Sequence, residues 1–150
     1  MSSTTSSSAN GDWVRLARRV HFSCGHRYFQ PKLSEQENKE IFGLCYSEHG
    51  HGHNYVLEAY LEGPIDPLTG MVINLMQVDE ILKTVTNELD HKHLNFDVPA
   101  FKDQVPTTEN VARFCFQRIQ AELNKSANRA QLSAVRLYEN DDLWVDYGKS

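Results

Sequence analysis

Histidines occupy every second position of a short internal stretch, His49-Gly50-His51-Gly52-His53, and Cys45 precedes them. In an extended chain alternate side chains point to the same side, so ring nitrogens at this spacing can converge on one metal ion. Catalytic zinc sites take three protein nitrogens and keep a fourth position open. Because the stretch is internal and leads into a strand-forming run, metal binding is favoured over a tag remnant or a histidine-rich turn.

A further histidine, His26, stands at the end of the preceding apolar segment. If the strand that ends at His26 and the strand that begins at His51 are sheet neighbours, three imidazoles from His26, His51 and His53 suit a tetrahedral zinc. On spacing alone His49 is a rival third ligand. His21 is interpreted as a surface histidine.

Cys45 and the pair Asp90-His91 are candidate catalytic groups. A thiol near a divalent cation and an imidazole ionises more readily and can act as a base. A carboxylate that orients an imidazole is the partner such a thiolate needs. Consecutive residues diverge on a regular helix, so contact with Cys45 requires a helix end or a neighbouring subunit. A solvated loop, and His93 in place of His91, stay open as alternatives.

The composition indicates one globular domain over residues 13–150, since 150 residues with 40% hydrophobic and 23% charged side chains are ordinary for such a fold. A net charge of −5 argues against a nucleic-acid partner. We expect no membrane partner, because no apolar run approaches the length of a span. The odd, widely spaced set Cys24, Cys45 and Cys115 favours a reducing cytoplasm over a disulfide framework.

The pattern of apolar residues predicts the elements of the first half. Residues 1–12 are rich in Ser and Thr and are expected to form a disordered tail. Alternation predicts a strand over Trp13–Ser23, broken by Cys24-Gly25-His26. A capping box at Ser34-Glu35-Gln36-Glu37 predicts a short helix to about Phe42, and a second strand runs from the histidines to Gly63-Pro64.

From Leu75 the apolar period changes to about 3.6, which predicts a helix capped by Asn74 and ending near Asp90-His91. A loop is expected from Lys92 to Pro106, and Thr107-Thr108-Glu109-Asn110 opens another helix, in which Cys115 is core filler. Strands follow over 132–139 and 143–147. The order ββααββ predicts an α+β domain with an antiparallel sheet on one side and two helices on the other.

Six ordered segments resemble the 6-pyruvoyl-tetrahydropterin synthase / 6-carboxy-tetrahydropterin synthase family, over nearly the whole chain from Val14 to Tyr147. They are Phe22–His26, Cys45-x5-His51-Gly52-His53-Asn54-Tyr55, Gly70–Asn74, Leu89–Lys92, Thr107–Asn110 and Tyr138-Glu139. The resemblance implies the T-fold (tunnelling fold), a ββααββ unit that assembles into trimeric barrels, with two trimers stacked as a homohexamer.

The resemblance also implies roles for individual residues. Zinc (Zn²⁺) is bound by His26, His51 and His53, and Cys45 is the catalytic cysteine. Asp90 and His91, supplied by the adjacent subunit, complete the proton-handling triad. Glu139 anchors the guanidine-like edge of a pterin substrate, and Thr107, Thr108 and Glu109 line its pocket. The implied reaction eliminates triphosphate from 7,8-dihydroneopterin triphosphate, without an external redox cofactor.

Two features depart from the family pattern. Cys24-Gly25 replaces the small pair expected before the first zinc histidine, and Cys24 is interpreted as a buried spectator, because a fourth ligand would close the catalytic position. The overlapping spacing Cys45-x3-His49-Gly50-His51 resembles 6-carboxy-tetrahydropterin synthase of queuosine biosynthesis. Asn54-Tyr55 and the Thr107–Asn110 segment favour the pyruvoyl enzyme.

Two further points stay open at the level of sequence. A noncatalytic zinc- or pterin-binding module that keeps the fold is the alternative from a different functional class. Three basic residues, Arg27, Lys32 and Lys92, are weak candidates for neutralising the triphosphate.

Overall fold

The computed structural model describes residues 12–149. The tail expected over 1–12 lies, apart from Asp12, outside the described residues. The strands are β1 (Trp13–His26), β2 (His51–Pro64), β3 (Lys92–His93), β4 (Gln131–Asn140) and β5 (Leu143–Gly148). The helices are α1 (Glu35–Phe42), α2 (Leu75–Asn87), α3 (Leu94–Asp97) and α4 (Thr108–Leu123), with 3-10 turns at Gly43–Cys45 and Pro99–Phe101.

The sheet has the order β3-β1-β2-β4-β5. β1 and β2 pair antiparallel over their whole length, from Trp13 opposite Pro64 to His26 opposite His51. The predicted pairing of the strands that flank the histidines is therefore confirmed. The predicted break at Cys24-Gly25-His26 is wrong, because this segment stays in register with His51–His53 and extends β1 to His26.

The segment predicted as a loop over 92–106 is partly regular. β3 pairs parallel with β1, with Lys92 opposite Cys24 and His93 opposite Gly25. α3 and the following 3-10 turn bury Leu94, Val98 and Phe101. The prediction missed these elements because they are shorter than the window in which a period of two or 3.6 can be recognised.

Helices α2 and α4 pack on one face of the sheet, as the layer prediction required. Asn74 caps α2 by accepting from Met76 N, and Thr107 caps α4 by accepting from Asn110 N. Residues that face one another across the two layers are buried: Val78, Ile81, Leu82 and Val85 of α2, Val111, Cys115 and Ile119 of α4, and Leu57, Leu61, Val135 and Leu137 of the sheet. Burying each such side chain contributes about 1.5–3 kcal/mol, so the core fixes the strand ends that carry the histidines.

The capping box of α1 is present as predicted, with reciprocal bonds between Ser34 and Glu37. Within residues 12–149 no helix has the length and apolar character needed to cross a bilayer.

Candidate metal centre and active site

The paired ends of β1 and β2 bring three imidazoles together. His26 and His51 are direct partners across the strands, and His53 follows two residues later on the same face. Nitrogens of the three rings lie within 4.8 Å of one another, and the two Nε2 atoms of His26 and His51 are 3.1 Å apart. Zn–N bonds of about 2.0–2.1 Å in a tetrahedral site place ligand nitrogens roughly 3.3 Å apart, so the spacing fits a metal ion.

His26 is held in the tautomer that a metal ligand needs. Its Nδ1 lies 2.8 Å from the carbonyl oxygen of Pro106. A carbonyl can only accept, so Nδ1 carries the proton and donates, which leaves the Nε2 lone pair free. The ring is fully buried, and this burial lowers the pKa of His26 to about 4. The imidazole is therefore neutral at physiological pH.

His53, like His26, is a neutral imidazole with a nitrogen free to bind a metal ion. Its Nε2 is buried and, among the residues that the structure describes, has no hydrogen-bond partner. Burial is also the main cause that lowers the pKa of His53. Buried polar atoms in native proteins are nearly always satisfied, so a neutral nitrogen left in this position fits coordination of a divalent cation such as zinc.

An acidic group and a phenol face the three histidines. Glu139, on β4, places Oε1 3.4 Å from His53 Nε2 and 3.7 Å from His26 Nε2. The Tyr28 ring stands edge-on to His26, with centroids 5.2 Å apart. Burial raises the pKa of Tyr28 to about 12, and the nearby Glu139, Cys45 and Glu109 add to this rise. The Tyr28 hydroxyl is therefore neutral at physiological pH, and it lies near the Glu139 carboxylate.

Cys45 is the most accessible of the three thiols. It ends the 3-10 turn after α1, half-buried, and its carbonyl accepts a hydrogen bond from Tyr28 N at 3.1 Å. Cys24 and Cys115 are buried, and burial raises the pKa of Cys24 to about 12 and that of Cys115 further. These two thiols stay protonated in the metal-free fold, and among the described residues the donor atoms that converge are those of His26, His51 and His53, without Cys24.

Asp90 and His91 are fastened to β1 through the backbone of Ser23. Ser23 N donates to Asp90 Oδ1 at 2.8 Å, and His91 N donates to Ser23 O at 2.6 Å. The Ser23 bond is the main cause that lowers the pKa of Asp90, whose Oδ2 accepts from His91 Nδ1 at 2.9 Å. His91 has a φ of 57°, a strained conformation for a residue with a side chain, and such strain concentrates at functional sites.

The Asp90-His91 pair lies beside a groove of about 310 Å³ whose lining includes Ser23, His53, Asn54 and His91 but not Cys45. Ser23 and His26 are three residues apart on one strand, so their side chains point to opposite faces of the sheet. Within one chain, Ser23 and Asn54 point away from the face that carries the metal nitrogens, and the groove lies at the edge where these residues meet the backbone around Cys24 and His53.

A sequence model of the 6-pyruvoyl tetrahydropterin synthase family matches residues 15–150. This chain belongs to that family. The 6-pyruvoyl tetrahydrobiopterin synthase of Drosophila melanogaster is 47% identical over 133 residues, covering 88% of this chain and 77% of the relative. The human enzyme of that name is 41% identical over 135 residues, covering 89% of this chain and 90% of the relative.

The fold agrees with membership of the family. The solved 6-pyruvoyl tetrahydropterin synthase of Caenorhabditis elegans superposes with a TM-score of 0.88 at 36% identity, covering 94% of this chain and 99% of that one. The predicted α+β T-fold is thereby confirmed, with the short parallel strand β3 as an addition to the ββααββ order.

The segment that the family resemblance assigns to the pterin pocket lies at the start of α4. Thr107 caps the helix, Thr108 is buried, and Glu109 is exposed in the first turn. The Thr108 hydroxyl interacts with that of Tyr28, and its buried Oγ1 has no other hydrogen-bond partner among residues 12–149. Pro106, whose carbonyl holds His26, comes directly before this segment.

The other histidines lie outside the metal cluster. The His49 side chain is 91% exposed, and His21 is exposed, as predicted for a surface histidine. His93 packs against Phe96 with ring centroids 4.5 Å apart. In the described part of the chain, the group that can hold an ion comprises His26, His51 and His53.

Three features of the site were missed by the sequence analysis. The Pro106 carbonyl is a backbone atom and carries no residue-type signal. Tyr28 and Tyr55 were not considered as site residues, although the Tyr55 hydroxyl lies 3.3 Å from His26 Nδ1. Their positions two residues after His26 and His53 on extended chain place them on the same face as these histidines, which is the signal that was available.

Proposed function

We propose that this chain is a zinc-dependent 6-pyruvoyl-tetrahydropterin synthase. This lyase converts 7,8-dihydroneopterin triphosphate to 6-pyruvoyl-tetrahydropterin with elimination of triphosphate. The observation that carries the proposal is the convergence of three imidazoles within 4.8 Å, at motif positions of the matched family, beside a free thiol. The 41–47% identity to enzymes of that name supports the same activity.

His26, His51 and His53 are the proposed zinc ligands. When bound there, zinc supplies Lewis-acid chemistry, which stabilises negative charge developing on the side-chain hydroxyls of the substrate. The protein contributes neutral, buried nitrogens whose orientation is fixed before the ion arrives, as the hydrogen bond from His26 to Pro106 illustrates.

Cys45 is the proposed base that removes a proton from the pterin side chain. This role is supported by its half-buried position on a tight turn whose backbone is bonded to Tyr28, the residue whose ring stands edge-on to His26. Asp90 and His91 then move protons during tautomerisation, with the carboxylate holding the imidazole through the 2.9 Å contact. The side chain of the substrate is oxidised while its ring is reduced, so the electrons balance internally.

The assembly is part of the proposal, because Cys45 does not line the groove that holds His91 within one chain. A homohexamer built as a dimer of trimers brings Asp90-His91 of one subunit to Cys45 of the next. The proposed setting is the cytoplasm, which is supported by three cysteines that are all free.

Glu139 is the proposed anchor for the pterin ring, because two carboxylate oxygens can accept parallel hydrogen bonds from a guanidine-like edge. Its burial and its 3.4 Å distance from His53 Nε2 support this role, because they place the carboxylate next to the proposed zinc ligands. Thr107, Thr108 and Glu109 complete the pocket in this proposal.

The test is one incubation of zinc-loaded protein with 7,8-dihydroneopterin triphosphate, followed by mass spectrometry of the products and an assay of triphosphate release. We expect 6-pyruvoyl-tetrahydropterin, whereas acetaldehyde and 6-carboxy-tetrahydropterin would assign the queuosine-type activity instead. Cys45→Ala should lower the rate by about 100-fold or more while zinc is retained.

The matched control is Leu44→Ala, because Leu44 is 98% exposed and adjacent to Cys45 in the same turn. It should leave turnover unchanged. Zinc-loaded protein without turnover, or undiminished turnover by Cys45→Ala, would instead favour a noncatalytic zinc- or pterin-binding module.

A further inference from the structure

A cavity of about 500 Å³ lies beside the continuation of β1, outside the metal cluster. Its lining includes Arg27, Phe29, Asn95, Phe96, Asp97 and Lys102. None of these residues takes part in the chemistry proposed above. The volume is in the range that holds a small-molecule ligand.

Arg27 is fixed rigidly at the edge of this cavity. Its backbone N–H donates to Asn95 Oδ1, and its carbonyl accepts from Asn95 Nδ2, both at 2.9 Å. The guanidinium carbon lies 4.5 Å from the centre of the Phe29 ring and 5.2 Å from that of Tyr46. Two aromatic faces therefore hold the cation in place, so little side-chain entropy remains to be lost when it binds a ligand.

The Nε donor of Arg27 is buried and has no acceptor among the described residues. The ion pairs found among the described residues do not include Arg27. A partly buried guanidinium normally meets an oxyanion, and its planar fork matches a phosphate.

The charges around the cavity favour an anion. Lys102 also lines the cavity and supplies a second positive charge. Asp97 is the acidic residue of the lining, but its Oδ2 accepts from the backbone N–H of His93 at 2.8 Å, so part of its acceptor capacity is used within the fold. The charged side chains that line the cavity thus carry a net positive charge, although the net charge of the whole chain is −5.

We propose that this cavity binds a phosphate-bearing anion, with the Arg27 guanidinium and the Lys102 ammonium as its charged anchors. Two sources share this chemistry: the triphosphate tail of the substrate, which rests on the proposed function, and a separate phosphorylated metabolite. The cavity borders the turn of the candidate base, because Arg27 stacks on Tyr46, the residue directly after Cys45.

Isothermal titration of sodium tripolyphosphate into metal-loaded protein tests the binding. Arg27→Gln should weaken it by about 10-fold or more, since hydrogen bonds to charged groups are the strong ones. Arg27→Lys keeps the positive charge but loses the planar guanidinium that binds two oxygens at once. Its affinity for tripolyphosphate should lie between those of the wild type and Arg27→Gln. Lys102→Gln should weaken binding by roughly 3-fold, as expected for a more exposed cation.

Arg129→Gln and Lys125→Gln are matched controls on exposed cations outside this cavity, and both should bind like the wild type. Equal affinity of wild type and Arg27→Gln would overturn the proposal. If Arg27→Gln does not fold, Lys102→Glu carries the test, because Lys102 is exposed. Unchanged binding by that variant would overturn the proposal equally.

Inhibition kinetics distinguish the two sources of the phosphate, the substrate's own triphosphate and a separate metabolite. If the site holds the substrate's own tail, tripolyphosphate inhibits competitively and Arg27→Gln raises KM for the substrate. If it holds a separate metabolite, tripolyphosphate binds alongside the substrate and KM is unchanged. Binding that depends on Arg27 in a protein without turnover would remove the proposed function alone, and turnover without such binding would remove only this inference.

Discussion

Nδ1 of His26 donates a hydrogen bond to the carbonyl of Pro106 at 2.8 Å, which ties the end of β1 to the residue just before the Thr107 cap of α4. The metal ligand and the proposed pterin-binding segment are therefore joined by one bond. Because the acceptor is a backbone atom, the orientation of the ring depends on the path of the chain, and a displacement at the start of α4 reaches the metal centre.

The burial of His26 predicts a pH-dependent stability of the metal-free protein. The pKa of His26 is 6.5 in the unfolded chain and about 4 in the folded protein. Between these two pH values the unfolded state binds a proton at His26 and the folded state does not. The contribution of neutral His26 to the free energy of unfolding is fully present above pH 6.5 and is lost as the pH falls towards 4. Each pH unit contributes about 1.4 kcal/mol, so the total loss is about 3 kcal/mol.

Urea unfolding of chelator-treated protein between pH 7 and pH 4.5 measures this loss. His26→Asn should reduce the slope of unfolding free energy against pH, with the remainder due to His53 and to carboxyl groups whose pKa the fold lowers, such as Glu58 and Asp90. His49→Asn should keep the wild-type slope, because His49 is exposed. A slope in His26→Asn as steep as that of the wild type would contradict the assignment.

Gly50 predicts a contrast between two glycine substitutions. Gly50 and Gly70 have φ values of 78° and 71°, so alanine is strained at both positions by about 1–2 kcal/mol. At Gly70 an added Cβ meets nothing within 4 Å, whereas at Gly50 it collides with the carbonyl of His26 and lies 2.9 Å from His93 Nε2. Gly50→Ala should therefore cost about 3 kcal/mol or more.

The collision also moves the backbone directly before His51, so Gly50→Ala should lose zinc while Gly70→Ala retains it. Thermal unfolding and metal analysis of the two purified variants provide the measurement. Equal melting temperatures and equal zinc contents would show that the close approach of Gly50 to β1 is unimportant.

The three thiols should differ in their reaction with iodoacetamide. Cys24 and Cys115 are buried with raised pKa values, whereas Cys45 is half-buried on a turn. Since the thiolate is the reactive form, native protein should be alkylated at Cys45 first and denatured protein at all three positions. Peptide mass spectrometry after a short reaction gives the sites. Modification of Cys24 at a similar rate would contradict the buried-spectator interpretation.

The sequence allowed the metal ligands to be found because their geometry is local. Two histidines at alternate positions share a face by the period of a strand, and the register of β1 with β2 adds His26 directly opposite His51. The capping box of α1 and the apolar stripe of α2 were predictable for the same reason, since each depends on residues within one or two turns.

Long-range contacts were not predictable in this way. The continuation of β1 through Cys24 and Gly25 depends on pairing with residues nearly thirty positions away, and the glycine signal for a break was overridden by that ladder. β3 is only two residues long and exists because Lys92 and His93 meet the edge of β1. The roles of Asp90 and His91 rest on the family resemblance, because no local pattern connects them with Cys45.

Complementation between two inactive variants tests the proposed sharing of active sites. Cys45→Ala and His91→Ala should each be inactive alone. If one subunit supplies Cys45 and its neighbour supplies His91, co-expressed chains that assemble together contain some sites with both groups intact. Activity should therefore return in hybrids purified through two different tags.

The control is co-expression of Cys45→Ala with the double variant Cys45→Ala/His91→Ala. No site in these hybrids has a thiol at position 45, so no activity should return. If the hybrid of single variants stays as inactive as this control, Cys45 and His91 act within one chain, and the groove beside Ser23 must close onto the histidine face by a movement of the α2 terminus.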